Sequence, residues 1–521
     1  MKKVLLFSLM VAAALVGKAT GLHVGTGQTY ATISAASAAV APGDTIYVHA
    51  NAKNAPYTDA PSISLTGTSS KWITICNYKT DSVSIVNEYQ LVSAQYVKIT
   101  GLNFDGGNKV RSSGSIHLLF MEGSSCGAGH DFIIENCKFT NLNNTGDGST
   151  GDMLKIDNST NFQVLNCLFE NGTNITDGIG LNGDRNGLVK NCTFENIGPV
   201  GAGCDGSHCK GGSIYITYQA NMFINCGGSG LDIGGDTGTP YYCPAYNAST
   251  SFESDSCSVF SNIFIGGTTG VRLGSCWNAQ IYNNTCFKLR TFAFRVLNES
   301  ENPIYVKNNN IYNNIITTNS TYGIYMNFTG QTTTDYYSTE HFYNNLFYNY
   351  MSPPGTVAWN DDFNSPVVCG ADVAGSIVAD PMFNDTTTRD FSLKSLSKAI
   401  KAGYNISSPA TDYNGHNFGA TRSIGAIEYS SNIGTGVQDY KDLSEVIVYP
   451  NPSKGQFNIS LMGTGSIQKV EVYNMMGQLV YSVIPTGYLS NMNLSSLPSG
   501  VYKAVFRMNS GSVSGKSIVL D

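Results

Sequence analysis

The sequence predicts an all-β solenoid followed by a small antiparallel β-sandwich. Short strand segments such as MLKID, GIGLNGD, LDIGGD and GVRLGS recur at irregular intervals of a few dozen residues, a period typical of units that bury their apolar faces against each other. Charged residues are only 13% of the chain, whereas glycine numbers 56, and tight turns need residues that adopt positive φ. Near the C-terminus the pattern changes to regular antiparallel strands.

The first 19 residues are predicted to be a signal peptide. Lys2 and Lys3 precede an apolar run over residues 4–16, and small residues at 17–19 suit a cleavage site. The run is short for a membrane helix, and no later stretch qualifies as a transmembrane segment. Net charge is −7 without a basic run, which argues against a nucleic-acid partner. We therefore expect an exported protein.

Residues 20–429 are predicted to form the solenoid. Tyr30 to Val40 carry small and apolar residues at helical spacing, and this helix would cap the open end of the first coil. An aromatic residue is expected to close each coil, preceded by an asparagine that we interpret as structural because asparagine tolerates left-handed backbone. The aromatics are Phe104, Phe139, Phe169, Phe194, Phe223, Phe264, Phe287, Tyr312 and Phe347. The asparagines are Asn103, Asn136, Asn166, Asn191, Asn221, Asn262, Asn284, Asn309 and Asn344.

Thirteen cysteines in an exported chain permit disulfides, and the odd number leaves at least one thiol free. Cys137, Cys167 and Cys192 each lie two residues before a coil-closing phenylalanine, and we interpret them as stacked buried thiols. Cys243 and Cys257 bracket a long insertion and form the favoured disulfide. Cys204 with Cys209 is a second, weaker pairing.

Residues 430–443 are polar and are interpreted as a linker. Residues 444–521 contain strand signals separated by tight turns, as in VIVYPNPSKGQFNISL and VEVYNMMGQLVYSV. They predict a β-sandwich of modest size.

Two family resemblances follow from these motifs. The opening YATISAASAAVAPGDTIYV, the repeated NC.F.N units and the closing DPMF…RDFSLKSLSKAI…GAIEY resemble the pectate-lyase-like proteins, which implies a right-handed parallel β-helix. That group contains lyases, hydrolases, epimerases and adhesins. The tail, VYPNPSKGQFNISL…LPSGVYKAVF, resembles the type IX secretion sorting domain of Bacteroidetes. It implies the type IX machinery as partner and a secreted or surface-attached state. We also expect a monomer.

Alternation of apolar residues divides the repeated strands into inward and outward positions. The predicted first column of outward residues is Lys155, Gly180, His208, Asp232, Arg272, Arg295 and Tyr325. A second column, two residues further on, is Asp157, Asn182, Lys210, Gly234, Gly274, Leu297 and Asn327. An acidic row of Asp152, Asp177 and Asp205 precedes these strands in register. In a chain poor in charge, this concentration is the strongest functional signal.

The columns favour β-elimination on a uronic-acid polysaccharide. That reaction needs a base for the proton α to the carboxylate, positive charge for the enolate, and an acid or water for the leaving oxygen. Lys210 is the candidate base and His208 an alternative acid or base. Arg272, Arg295 and Lys155 would bind the anionic polymer. Because lyases of the resembled fold often pair a basic residue with Ca²⁺, a calcium site is expected at Asp177, Asp205 and Asp232.

Three other functions remain open from the sequence. A glycoside hydrolase of the polygalacturonase type would use paired carboxylates, with Asp232 beside Asp205 or Asp236. An epimerase would need a similar base, and a non-catalytic glycan-binding or adhesive solenoid would need only the groove. The insertion after Asp232 carries Tyr241, which could stack on a sugar ring at the rim.

Overall fold

The computed structural model describes most of the solenoid and most of the C-terminal region. The predicted signal peptide, except residue 19, and all of the predicted linker except residue 430 lie outside the described residues. The described residues are 19–107, 110–111, 117–144, 151–174, 176–201, 203–297, 305–319, 324–327, 340–351, 359–361, 374–407, 411–430, 446–449, 451–461, 467–474, 478–484, 491–508 and 513–521.

The described residues between 21 and 378 wind into a parallel β-helix built from three long sheets, which confirms the predicted fold class. One coil consists of Gly151–Asp157 in the second sheet, Ser159–Leu165 in the first and Leu168–Asn174 in the third. Each strand pairs in parallel with the equivalent strands of the coils before and after it. Successive coils therefore bring residues that are far apart in sequence to roughly 4.8 Å from each other.

The strands that make up each sheet are as follows. The first sheet contains Gly21–Val24, Thr45–Val48, Ile73–Asn77, Gln95–Thr100, Gly129–Glu135, Ser159–Leu165, Leu188–Lys190, Thr217–Gln219, Ser258–Phe260, Gln280–Tyr282, Asn310–Tyr312 and His341–Tyr343. The second contains Ser62–Ile63, Tyr89–Val92, Leu119–Glu122, Gly151–Asp157, Thr176–Asn182, Ser207–Lys210, Ser229–Gly234, Thr269–Gly274, Phe292–Leu297, Ile324–Asn327 and Trp359–Asp361. The third contains Ser84–Ile85, Asn103–Asp105, Lys138–Thr140, Leu168–Asn174, Thr193–Ile197, Met222–Ile224, Ile263–Ile265, Thr285–Leu289, Ile315–Thr318, Leu346–Asn349 and Ile377–Val378, flanked by Val110–Arg111 and Asn143–Asn144. A short sheet of Ser213–Ile214, Ser254–Asp255 and Cys276–Trp277 lies at one corner.

A helix caps the first coil, as predicted, but it spans only Ile33–Ser37. The hydroxyl of Thr32 accepts a hydrogen bond from the Ala35 N–H and fixes the start of the helix. Ile33 and Ala36 are buried against the solenoid core. Short 3₁₀ turns lie at Ala52–Asn54 and Thr239–Tyr241.

A stack of phenylalanine rings fills the interior of the third sheet. Neighbouring ring centroids are 4.6–5.0 Å apart and nearly parallel over six coils. The rings are Phe104, Phe139, Phe169, Phe194, Phe223 and Phe264. The predicted continuation through Phe287 and Tyr312 is wrong, because Cys286 takes the next interior position and Ile316 the one after it. Phe347 then returns to the stack.

The two misplaced aromatics belong to outer surfaces. Phe287 points away from the interior and packs on Phe383 and Phe391 in the segment that follows the last coil. That segment contains the antiparallel pair Phe383–Asp385 and Asp390–Leu393. Tyr312 lies in the first sheet, in an outer row of stacked rings with Tyr282 and Tyr343.

The asparagines form two kinds of row, and the structural interpretation is confirmed for both. Asn136, Asn166 and Asn191 lie at turns with φ of 53–55°. A second row is buried and linked side chain to side chain, and we call it the asparagine ladder. It contains the predicted Asn221, Asn262 and Asn284 and continues through Asn314 and Asn345, rather than through the predicted Asn309 and Asn344.

The predicted cysteine stack is confirmed, but both predicted disulfides are wrong. Cys137, Cys167 and Cys192 are buried free thiols. Cys243 is bonded to Cys126 rather than to Cys257, and Cys204 and Cys209 are free. Cys257 instead places its sulfur 3.9 Å from that of Cys209 inside the solenoid.

Two antiparallel sheets in the C-terminal region share one core, as expected for a small sandwich. One contains Val446–Tyr449, Gln456–Leu461 and Asn491–Asn493, and the other contains Ile467–Asn474, Leu479–Val483, Gly500–Met508 and Val513–Leu520. Phe457 from the first sheet and Val470 and Phe506 from the second belong to the same buried cluster.

Candidate functional site

The outward columns of the second sheet have the predicted register. Lys155 pairs with Gly180, Gly180 with His208, and His208 with Asp232. The first column continues through Arg272, Arg295 and Tyr325. In the second column Asp157 pairs with Asn182, which pairs with Lys210. The inward neighbours, such as Leu231 and Ile233, are fully buried, so the charges share one face.

The acidic row is also in register, and its carboxylates connect successive coils. Asp152 pairs with Asp177. Asp177 Oδ1 accepts a hydrogen bond of 2.6 Å from the Asp205 N–H, and Asp205 Oδ1 accepts one of 2.6 Å from the Ser229 N–H. All three aspartates are buried. Asp177 and Asp205 are therefore partly structural, since each satisfies a backbone donor of the next coil.

Burial of this row perturbs its protonation. Burial, followed by repulsion from Asp152, raises the pKa of Asp177 to about 8. Burial and repulsion from Asp177 raise the pKa of Asp205 to about 7. Two adjacent carboxyl groups of the face therefore retain protons near neutral pH.

His208 lies between the acidic row and the second column. Its Nδ1 is 3.1 Å from Asp177 Oδ2, and the side chain is nearly inaccessible, with 6% of the residue exposed. Burial, reinforced by the charge of Lys210, lowers the pKa of His208 to about 3. The ring is therefore neutral, and its Nε2 has no hydrogen-bond partner among the described residues.

Asp152 lies close to two basic side chains, Lys155 and His117, and the sequence analysis singled out only the first. Its Oδ2 is 3.5 Å from Lys155 Nζ and 3.5 Å from His117 Nδ1, while Oδ1 has no partner in the described part of the chain. Burial alone would raise the pKa of Asp152, but neighbouring positive charge, chiefly that of Lys155, lowers it overall. Gly180 makes room for this carboxylate, because a Cβ there would lie 2.4 Å from Asp152 Oδ1. His117 has no strand-pattern signal and was missed.

The next part of the face is cationic. Arg272 donates from Nη1 to Asp232 Oδ2 at 2.8 Å, and Arg295 occupies the equivalent position one coil further on. Lys210 is half-buried, and its side chain lies alongside Gly235. A Cβ at Gly235 would lie 3.3 Å from Lys210 Cδ and 3.8 Å from Asp232 Oδ2. Lys210 and the Asp232–Arg272 pair therefore flank the same glycine.

One buried group could hold a metal ion. Asp152, Asp177 and His208 each offer a ligand atom, and these atoms lie within 4.8 Å of one another. This group differs from the predicted set, because Asp205 and Asp232 do not join Asp177 in it. Asp205 contacts the backbone of the next coil, and Asp232 is paired with Arg272.

The predicted rim insertion lies beside the second column. Tyr241 ends a 3₁₀ turn, is 70% exposed, and accepts a hydrogen bond of 2.8 Å at its carbonyl from Asn182 Nδ2. Glu253, which the sequence did not single out, is buried at the end of the insertion and binds Gly211 and Thr237. Asp184 is likewise buried and binds the Ser159 and Asn182 N–H groups.

The C-terminal region matches a known family, and this decides the localisation. Residues 447–520 match the family described as secretion system C-terminal sorting domain. The chain carries a sorting domain. The protein is therefore exported by the type IX system to a secreted or surface-attached state. Among the described residues, no helix has the length and apolarity to cross a membrane.

Solved structures with a similar fold are distant from this chain. A mannuronic acid specific polysaccharide family 6 lyase from human gut microbiota has 13% identity and a TM-score of 0.42, covering 67% of this chain and 84% of that one. A family 6 polysaccharide lyase from Pseudopedobacter saltans has 15% identity and a TM-score of 0.41, covering 70% and 96%. The catalytic unit of a GH87 α-1,3-glucanase from Streptomyces thermodiastaticus has 14% identity and a TM-score of 0.37, covering 67% and 65%. No curated protein sequence matches the chain. These similarities include both lyases and a hydrolase, so they do not identify a reaction.

Proposed function

We propose that this protein is a polysaccharide lyase that cleaves a uronic-acid polymer by β-elimination. The observation that carries the proposal is the outward face of the second sheet, on which Arg272 and Arg295 lie two and three coils after the coil of Lys210. Over five strand steps from Lys155 to Arg295 the face extends roughly 24 Å. That length accommodates several sugar rings of an anionic chain.

Lys210 is the proposed base. Its amine nitrogen takes the proton α to the uronate carboxylate, and the electron pair of that C–H bond forms the new carbon–carbon double bond. The bond from the β-carbon to the glycosidic oxygen then breaks. His208 is neutral because its pKa is lowered to about 3, so it does not act as an imidazolium acid. Water in the open groove protonates the departing oxygen.

Arg272 and Arg295 are the proposed carboxylate-binding residues. A guanidinium offers a planar fork of donors that matches a carboxylate. Asp232 orients the Arg272 fork through a contact of 2.8 Å. The cations stabilise the negative charge that develops on the carboxylate as the α-proton leaves, and they stabilise the intermediate more than the substrate. Lys155 extends the positive face toward the earlier coils.

Calcium fits the buried group poorly, so no step is assigned to it. Ca²⁺ prefers about six to eight oxygen ligands, whereas the group offers two carboxylates and an imidazole. Lys155 Nζ already lies 3.5 Å from Asp152 Oδ2 and supplies a countercharge there. We expect excess chelator to leave activity unchanged and added Ca²⁺ not to raise it.

The test is the ultraviolet absorbance of an unsaturated uronide. The full chain is incubated with polymannuronate, polyguluronate, polygalacturonate and hyaluronan, with and without Ca²⁺ or chelator. An absorbance increase that is absent in Lys210→Ala supports the lyase and names its substrate. No increase with any polymer, together with tight binding of one of them, would leave a glycan-binding solenoid.

A glycoside hydrolase is the second candidate, and the perturbed carboxyls favour it. Asp205 has a pKa raised to about 7, which suits a general acid, while Arg272 pairs with Asp232, which could serve as a base. Burial of Asp205 and its bond to the Ser229 N–H argue against a role on substrate. New reducing ends without the absorbance increase, lost in Asp232→Asn, would establish hydrolysis.

A further inference from the structure

The insertion at residues 235–253 reaches back over earlier coils instead of projecting into solvent. It leaves the second sheet after Gly234 and rejoins the solenoid at Ser254, in the short corner sheet. Cys243 is bonded to Cys126, which follows the strand Leu119–Glu122. Four strand steps, or roughly 19 Å along the face, separate Leu119–Glu122 from Ser229–Gly234, the strand after which the insertion begins. The insertion therefore runs alongside the site from the coil of Asp232 toward the coil of Glu122.

Close backbone contacts hold the insertion against the solenoid. The Cys243 N–H donates to the Gly211 carbonyl at 2.9 Å. A Cβ at Gly183 would lie 2.5 Å from Cys243 Cβ, and one at Gly212 would lie 2.6 Å from the Cys243 carbonyl oxygen. Both glycines also have positive φ. Any other residue at either position would push the insertion outward.

A buried carboxylate fixes the base of the insertion. Glu253 is 1% exposed and accepts hydrogen bonds from the Gly211 N–H at 3.0 Å and from the Thr237 N–H at 2.8 Å. It also accepts from the hydroxyls of Thr237 and Tyr242. An exposed loop would not need such an anchor. The arrangement indicates an element whose position matters.

The anchored insertion exposes the side chain of Tyr241. Its ring is exposed, yet its carbonyl is bonded to Asn182 and its second neighbour, Cys243, is in the disulfide. Asn182 pairs with Lys210 in the second column. The backbone of Tyr241 is therefore fixed beside the second column, and an exposed aromatic ring on a fixed backbone can bind a sugar face with little loss of conformational entropy.

We propose that residues 235–253 form a fixed wall of the groove and that Tyr241 is a sugar-stacking platform on it. The inference rests on the proposed function in taking a saccharide as the ligand, and it adds the residue that positions the saccharide beside Lys210. The wall confines the polymer to the first column on one side. Tyr241 then supplies binding that is the same in the ground state and the transition state.

The experiment compares Tyr241→Ala, Tyr241→Phe and Tyr215→Ala in the full chain. Tyr215 is a matched control because it is also an exposed tyrosine, at 56%, outside the insertion. We expect Tyr241→Ala to raise KM about tenfold with kcat nearly unchanged, as loss of uniform binding predicts. Tyr241→Phe should retain the wild-type KM because it keeps the ring. Tyr215→Ala should leave both constants unchanged.

A binding measurement separates this inference from the lyase proposal. Calorimetry with oligomers of mannuronate, guluronate and galacturonate gives Kd for Lys210→Ala and for Lys210→Ala combined with Tyr241→Ala. Binding weakened about tenfold by the second change, together with a wild type that cleaves none of these saccharides, would retain the platform and reject the lyase. Lyase activity with a KM insensitive to Tyr241→Ala would reject the platform alone. Failure of the wild type to bind or cleave any of these saccharides would overturn both.

A separate variant tests whether the Cys126–Cys243 disulfide holds the wall in place. Cys126→Ser removes the link to the earlier coil while the strands of the solenoid remain paired. We expect faster limited proteolysis within residues 235–253, an almost unchanged thermal midpoint, and a higher KM. Unchanged proteolysis and KM would show that the disulfide does not hold the wall.

Discussion

The asparagine ladder and the charged face of the second sheet are both rows of polar side chains repeated from coil to coil. In the ladder, Asn284 Nδ2 donates to the Val259 carbonyl at 2.9 Å and to Asn314 Oδ1 at 3.0 Å. Its own Oδ1 accepts from the N–H and the side chain of Asn262. On the charged face, His208 Nε2 and Asp152 Oδ1 are buried without a hydrogen-bond partner among the described residues.

The difference teaches that polar repetition alone does not indicate function in a solenoid. A satisfied ladder stabilises the stack, because every buried donor and acceptor of Asn284 has a partner. The charged face keeps groups whose charged forms are costly to bury, and such unsatisfied groups are usual at functional sites. We therefore expect changes in the ladder to affect stability and changes on the face to affect activity.

The largest expected effect is the loss of activity in Lys210→Ala. Removal of a general base typically costs about 10²–10⁴-fold in rate. The free energy of unfolding should change by less than about 0.5 kcal/mol, because the side chain is half-buried and lies outside the core. Initial rates on the responsive polymer and urea unfolding measure the two quantities.

Lys190→Ala is the control for that experiment. Lys190 is also half-buried and ends a strand of the neighbouring first sheet. Its removal should change neither rate nor stability. A Lys210→Ala protein that retains wild-type activity would reject the base assignment and with it the proposed mechanism.

The opposite pattern is expected for Asn284→Ala. Asn284 is fully buried, and its removal takes away the donor to the Val259 carbonyl and the acceptor of the Asn262 backbone N–H. We expect a loss of about 2–4 kcal/mol in the free energy of unfolding. The kcat of the folded fraction should be unchanged. Chemical unfolding together with activity per folded molecule checks this, and an undiminished stability would contradict the role given to the ladder.

Alternation along strands made much of this comparison predictable from the sequence. The first column from Lys155 to Arg295 follows from the period of two, because a strand such as Gly-Val-Arg-Leu fixes which side chain faces out. The prediction is wrong for Phe287 and Tyr312 because it rests on counting aromatics rather than on strand alternation. At Cys286 a smaller residue replaces the ring, and sequence alone does not signal that exchange.

Contacts between distant coils were not predictable. The Cys126–Cys243 bond joins residues 117 positions apart, and only the backward path of the insertion brings them together. His117 lies next to Asp152 through the stacking of two coils. The buried partners of Glu253 likewise depend on the path of the insertion. Such pairings need the three-dimensional register, which one sequence does not supply.

Asp177→Asn is expected to change stability in a way that depends on pH. The folded pKa of Asp177 is raised to about 8 from an ordinary value of 3.8. Between these values the folded state retains a proton that the unfolded state has lost, so stability decreases as pH increases from about 4 to 8. Asparagine does not ionise, and the variant should lack this part of the slope. Its advantage over the wild type should therefore be greatest above pH 8.

Urea unfolding of both proteins at several pH values measures that slope. Asp412→Asn serves as a comparison, because Asp412 is a buried aspartate outside the charged face whose pKa burial also raises. Identical pH profiles for the wild type and Asp177→Asn would show that Asp177 is ionised in the folded protein at neutral pH. The contrast between the charged face, with its unsatisfied buried groups, and the satisfied asparagine ladder would then be weaker.

The smallest effect is expected from Asn191→Gly, which tests the outer row of asparagines against the buried ladder. Asn191 has φ of 55°, and its side chain donates at 3.2 Å to Asn166 Oδ1 in an exposed position. Glycine adopts this backbone without strain, and a solvent-exposed hydrogen bond is readily replaced by water. The change in the free energy of unfolding should stay within about 0.5 kcal/mol. Asn191→Val should cost more, because a β-branched residue disfavours positive φ, and equal costs for the two variants would show that the side-chain bond rather than the turn conformation selects asparagine there.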